Sequence, residues 1–172
     1  YLCSTWSKAR WFNQDRYGIY PVRDRNHPTG LPSNTAAQQA EAALGDKLHD
    51  LSVEAVQARV QISKLEGCAV HGSLENPVDP GVAPYPSSFL TSNAMALAEE
   101  PPVTTAIHPM CAFGPPHMKF TRQDGVSIGW NRLTRPCGCI FPHEKLAGPA
   151  KTRKAAGYPW GRCREMAICI VD

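Results

Sequence analysis

The sequence predicts an α/β layered fold with a loop-rich N-terminal region, and three observations lead there. Apolar residues recur at three- and four-residue spacings over one long stretch, and short β-prone runs alternate with further helical segments. The third is the turn content: 16 Pro and 13 Gly among 172 residues require many turns between few regular elements. A chain of this length makes one domain with one core, burying roughly 70% of its unfolded surface. Apolar residues at 42% and charged residues at 19% exclude wholesale disorder and a coiled coil.

The elements follow in chain order. Residues 1–33 are polar and aromatic, and Pro21, Pro28, Gly30 and Pro32 break any period, so an ordered loop region is expected. Residues 34–66 form one long helix. Ser33 or Asn34 is its N-cap, Gly67 is its stop, and Ala37, Ala40, Leu44, Leu48, Leu51, Ala55, Ala58 and Ile62 make its apolar face. Residues 67–131 hold strands and connecting loops. Cys68–Leu74 is a buried strand before the Asn76-Pro77 turn, a short helix spans Ser87–Glu99, and Val103–Phe113 is a second strand. A third strand at Val126–Trp130 would pair as a hairpin through an Asp124-Gly125 turn. Residues 132–154 are a basic loop rich in Cys and His. Residues 155–172 close the chain with a helix from Trp160, whose apolar face is Cys163, Met166, Ala167 and Ile170.

Charge and apolar runs limit the functional classes. A net charge of +3 permits nucleic-acid contact without arguing for it. The longest apolar run, Met166 to Val171, is far shorter than the roughly 20 residues that cross a bilayer, so no membrane partner is expected. Seven cysteines without a regular framework point to reduced thiols in an intracellular protein. The start at Tyr1, two residues before a candidate nucleophile, predicts an upstream part of the same polypeptide.

In layered α/β folds chemistry collects at the C-terminal ends of strands, which directs attention to two strings. Ser73-Leu74-Glu75-Asn76-Pro77 places a carboxylate and a carboxamide at a strand end stiffened by proline. A carboxyl group held there exchanges a proton with a flat heterocycle; an ordinary turn has the same sequence. Cys111-Ala112-Phe113-Gly114-Pro115-Pro116-His117-Met118-Lys119 follows the next strand and brings a base to the same edge. Cys3, Glu75 and the loop after Cys111 are expected to share that edge.

These strings occur in a recognisable order: Cys3, Ser7, Arg10, Pro21-Val22-Arg23, His27-Pro28-Thr29-Gly30-Leu31-Pro32, Glu75-Asn76-Pro77, Cys111-Ala112-Phe113-Gly114, Lys119-Phe120-Thr121, His143 and Tyr158-Pro159. In that order and over nearly its whole length the chain resembles the cytosine-carbon-5 DNA methyltransferases. The resemblance is closer to a divergent methyltransferase-like group found in algal and other eukaryotic mobile-element polyproteins. It implies the C-terminal half of a Rossmann-like methyltransferase sheet, nucleic acid as substrate, S-adenosyl-L-methionine as methyl donor and a nuclear location. Cys3 would add to ring carbon 6 of an extruded cytosine, with Glu75 as its acid partner. Asn76, Pro77, His117, Lys119, Thr121, Arg122 and Arg10 would contact substrate, and Ala156, Gly157 and Tyr158 would wall the donor.

Four departures from the family pattern modify these expectations. Leu2 replaces the family's proline before Cys3, and Lys119 and Thr121 stand where the family has two arginines, a change that loses planar bidentate forks. The glycine-rich donor-binding turn would precede Cys3, so the chain by itself should bind the donor weakly. The region between Thr121 and Ala155 is also short for a DNA-reading domain. A second reading follows, a nucleic-acid-binding or assembly module that has lost catalysis.

Cys137-Gly138-Cys139 with His143 suggests a metal site that Cys111 or Cys163 would complete. One intervening residue is fewer than the two to four usual between paired zinc ligands, so free thiols are the primary expectation. Arg122, Arg132, Arg135, Lys145, Lys151, Arg153 and Lys154, mixed with Trp130 and Phe141, either track phosphates or form a solvated face. His27, His49, His71 and His108 have no partner spacing and are expected to be structural or exposed.

Overall fold

The structure, a computed structural model, describes residues 20–67, 70–126, 130–146 and 157–171, together with Trp6, Arg10, Trp11, Gln14, Gly18, Lys151 and Ala155. Among the described residues the α/β arrangement has three helices whose full extent is described and a three-stranded antiparallel sheet. The helices are α1 (Ala36–Glu66), α2 (Ser92–Glu99) and α3 (Trp160–Val171), and the strands are β1 (Gly72–Pro77), β2 (Thr104–Pro109) and β3 (Phe120–Val126). Short 3₁₀ turns at Ser88–Leu90, Met110–Phe113 and Trp130–Leu133 link them.

The strand order is β1-β3-β2, with β3 antiparallel to both neighbours. β1 and β2 therefore run parallel to each other, joined by α2 as a crossover, which parallel strands require. Because Pro77 lies opposite Thr121 and Pro109 opposite Phe120, both C-terminal ends reach the same sheet edge. Helices cover both faces. Val53, Val56 and Val60 of α1 and Ala94 and Leu97 of α2 pack with Leu74, Phe89 and Val126 on one face. On the other, Cys169 and Met166 of α3 meet Ala106, Phe113, Trp130 and Leu133.

Helix α1 starts one residue later than Asn34, and two later than Ser33, would place it. Thr35 is the N-cap, its hydroxyl accepting from Gln38 N while the Gln38 side chain accepts from Thr35 N, a reciprocal capping box. Gly67 ends it as expected, with φ 61° in the left-handed region. The buried face is a correction: Ala42, Gly45, His49, Val53, Val56 and Val60 face inward, whereas Leu44, Leu48, Leu51 and Ile62 are exposed. Two stripes along this helix satisfy a 3.6-residue period, and tertiary partners select between them. His49 reaches Thr91, the N-cap of α2, at 3.0 Å, and Asp46 receives the buried Arg23.

The strands also shift from their expected positions. β1 lies later than Cys68–Leu74 and so carries Glu75-Asn76-Pro77 within it, and β2 ends at Pro109 before a 3₁₀ turn. The third described strand is Phe120–Val126, with Asp124-Gly125 inside it and not in a hairpin turn, and residues 127–129 of the expected strand lie outside the described residues. Asp124 instead sits fully buried in the central strand, accepting from Arg122 Nε at 2.9 Å and Thr105 Oγ1 at 2.7 Å. Gly125 is needed there because a Cβ would stand 2.3 Å from Gly72 O, blocking the approach of β1. In α3, Arg162 and Cys169 are buried and Ile170 is exposed, so its inward face is rotated from the expected one.

His108 on β2 is fully buried, and its ring meets Phe113 edge-on at 5.2 Å. Burial, with a smaller push from the Arg162 guanidinium, lowers its imidazole to about 4. The folded chain thus keeps His108 neutral where the unfolded chain takes up a proton below about 6.5. This contribution is complete above the unfolded value and falls as pH drops toward 4, by about 3 kcal/mol. His49, lowered chiefly by burial, acts in the same direction. Urea unfolding at pH 7 and pH 4.5 is expected to show this loss, with a shallower slope in His108→Leu.

Candidate functional site

The C-terminal end of β1 brings together Glu75, Asn76, Pro77, Thr121 and Tyr158 of the residues expected at the site. Strand alternation turns Ser73, Glu75 and Pro77 to the face that α3 covers, and sends Leu74 and Asn76 to the other. On the α3 face, Tyr158 Oη donates to Glu75 Oε2 at 2.9 Å, while Glu75 Oε1 is buried with no partner among the described residues. The Arg162 guanidinium lies 4.1 Å from the Tyr158 ring centroid and donates to Gln123 Oε1 at 2.8 Å. Gln123 in turn donates to Ser73 Oγ at 2.8 Å. Burial, then the Glu75 carboxylate, pushes the Tyr158 phenol above its ordinary value. Tyr158 therefore stays protonated and fixes the orientation of Glu75.

At the same strand end Asn76 and Pro77 line a cleft with Trp6, Pro86, Ser87 and Ser88. Two arginines anchor the segment that precedes α1, Arg25 beside this strand end and Arg23 against α1. Arg25 pairs with Asp79 at 2.7 and 3.1 Å, and its backbone N donates to Pro84 O at 3.0 Å. Arg23 is fully buried, bonded to Asp46 Oδ1 at 2.5 Å, Ala42 O at 2.5 Å and Pro28 O at 2.6 Å, and lies 4.1 Å from the Trp6 ring centroid. Cys3 and Ala156 lie outside the described residues.

The remaining expected substrate contacts divide. Thr121 is fully buried on the same face as Glu75, opposite Pro77 and His108. His117 and Lys119 are half-buried in the segment leading into β3. Arg122 is on the opposite face, held by Asp124 and lying 4.5 Å from the Phe89 ring centroid. Arg10 is paired with Glu41 of α1 and donates to Tyr20 O at 3.2 Å. Gly157 adjoins Tyr158.

A second constellation stands just past β2. Cys111, Cys137, Cys139 and His143 offer ligand atoms that all lie within 4.8 Å of one another. Burial, with Cys137 and Cys139 alongside, pushes the Cys111 thiol up to about 12, whereas the backbone N–H of Cys139 lowers Cys137. Cys163, the alternative fourth member, is elsewhere, on α3 with Sγ 4.0 Å from Tyr158 O.

Arg162, Gln123 and Trp6 were not singled out in the sequence. Arg162 carried a usable signal, an arginine four residues after Tyr158 on a helix whose inward face is otherwise apolar. Gln123 and Trp6 carried none, since their roles depend on strand register and on a tertiary contact. Among the described residues, no helix is long and apolar enough to cross a membrane. Comparison with known proteins gives no match to a family model, a curated protein or a solved structure.

Proposed function

We propose that the chain is the base-handling half of an S-adenosyl-L-methionine-dependent methyltransferase-like enzyme of the nucleus that acts on cytosine in nucleic acid. The observation that carries this reading is the setting of Glu75. One carboxylate oxygen is fixed by Tyr158 at 2.9 Å and the other is buried without a partner among the described residues. A buried acceptor left unpaired costs about 1–3 kcal/mol, which the exocyclic amino N–H of an extruded cytosine would recover. Orientation by Tyr158 also places that oxygen before substrate arrives.

In the proposed chemistry the Cys3 thiolate forms a bond to ring carbon 6, and Glu75, in its protonated form, delivers a proton to ring nitrogen 3. The ring electron pair shifts to carbon 5, which becomes the nucleophile. After methylation, carbon 5 gives its proton to water, the ring-nitrogen proton returns to Glu75, and the re-forming double bond expels the thiolate. S-adenosyl-L-methionine supplies an electrophilic methyl group when bound. Gly157 and Tyr158 would wall it: Tyr158 is 46% exposed beside Glu75, and the ring face away from Arg162 would suit a sulfonium cation. Exposed Arg132 and Lys145 would meet phosphates.

The test uses the full-length protein, the methyl donor and an oligonucleotide carrying 5-fluorocytosine, whose fluorine blocks the final proton loss. A denaturant-stable adduct is expected, and Cys3→Ser should form none. No adduct, or an adduct that survives Cys3→Ser, overturns the mechanism. A second reading, a binding or assembly module without catalysis, is favoured by one observation. Arg10 and Arg122, both assigned to substrate by the resemblance, are held in internal ion pairs with Glu41 and Asp124. Salt-sensitive oligonucleotide binding with no adduct selects that reading.

A further inference from the structure

We propose that Cys111, Cys137, Cys139 and His143 bind one Zn²⁺ ion in a closed, four-coordinate structural site. Tetrahedral zinc, with about 2.3 Å to sulfur and about 2.0 Å to imidazole nitrogen, sets sulfur–sulfur edges of about 3.8 Å and sulfur–nitrogen edges of about 3.5 Å. Cys111 Sγ and Cys137 Sγ are 3.6 Å apart, and Cys137 Sγ and His143 Nε2 are 3.3 Å apart. All four ligand atoms fall within 4.8 Å of one another, the compactness a shared central ion requires. A disulfide would bring two sulfurs to about 2.0 Å, and these cysteines are free.

The donor set identifies the ion. Three thiolates and one imidazole suit zinc and are unsuited to magnesium or calcium, which take oxygen ligands. Four protein ligands fill the coordination shell and leave no position for water, so the role is structural. Each thiol gives its proton to solvent as its sulfur–zinc bond forms. Full ligation therefore releases three protons from the neutral thiols and leaves the centre with a single negative charge.

The ligands come from two separated segments. Cys111 is in the 3₁₀ turn that follows β2, and the other three are in a stretch without helix or strand between Leu133 and Leu146. Other contacts of that stretch include Glu144 N donating to Pro116 O at 2.9 Å and Arg135 pairing with Glu165 of α3 at 3.0 Å. An ion at the four ligands would tie it to the C-terminal end of β2, on the sheet edge that also carries the end of β1. The single glycine between Cys137 and Cys139 is shorter than the usual spacing, and the fold compensates by bringing Cys111 from 26 residues away.

The test is metal analysis of the full-length protein under reducing conditions, with Zn²⁺ and Co²⁺ as the probes. About one zinc per chain is expected, and Co²⁺ should give the intense visible bands and thiolate charge-transfer absorption of a tetrahedral site. Cys139→Ser and His143→Ala should lose the metal, and Cys163→Ser should retain it. Absence of stoichiometric zinc after addition of equimolar Zn²⁺ to the reduced wild-type chain overturns the site, as does a weak octahedral Co²⁺ spectrum. The wild-type titration decides the matter even where a variant fails to fold. Loss of zinc from Cys163→Ser to the same extent as from His143→Ala would contradict the ligand assignment.

Discussion

Replacing Arg23 with methionine is expected to destabilise the chain by about 3 kcal/mol, lowering its thermal midpoint by about 6–12 °C. Arg23 is fully buried, and its guanidinium joins Asp46, Ala42 O and Pro28 O while lying over Trp6. Methionine keeps much of the volume but leaves two carbonyls and a carboxylate without their donor. Asp46 is about one-third exposed, so water recovers part of its solvation and the loss falls at the lower end for a broken buried pair. Arg23→Lys should recover only part of the stability, because one ammonium cannot reproduce the planar fork. Differential scanning calorimetry of the three proteins checks the order. The effect reaches the site, because Trp6, against which Arg23 packs, lines the cleft with Asn76 and Pro77.

Glu75→Gln is expected to slow addition chemistry at cytosine by about 10²–10⁴-fold, the usual range for loss of a positioned acid. Glutamine keeps the shape and still accepts from Tyr158 through its carbonyl, so stability and oligonucleotide affinity should change little. It cannot give the ring nitrogen a proton. A Glu75→Gln chain that binds and adds normally would show that the buried carboxyl group is structural.

Much of the frame was legible because it rests on local chemistry. The long helix, its end at Gly67, and a strand delivering Glu75 to a sheet edge follow from periodicity, a left-handed glycine and proline placement. The inward face of α1 was not legible. Leu44, Leu48 and Leu51 keep a helical period as well as Val53, Val56 and Val60 do, and contacts distant in sequence decide which stripe is buried. Asp124-Gly125 has the composition of a turn, yet Arg122 and Thr105 neutralise Asp124 inside the sheet and Gly125 admits a close strand. The cysteine cluster was half legible. Cys137, Cys139 and His143 are adjacent in sequence, but only the fold chooses Cys111 over Cys163 as the fourth member.

The central claim is that Cys3 adds to cytosine with help from Glu75, and hydrogen exchange at ring carbon 5 tests it without depending on the methyl donor. Addition at carbon 6 makes carbon 5 basic enough to take a proton from water, and reversal then releases the original hydrogen. The full-length protein is incubated with an oligonucleotide tritiated at carbon 5 of cytosine, and tritium appearing in water is counted. Release is expected from the wild-type chain, about 10²–10⁴-fold slower from Glu75→Gln, and at background from Cys3→Ser. Background release from the wild-type chain, or undiminished release from Cys3→Ser, would contradict the account.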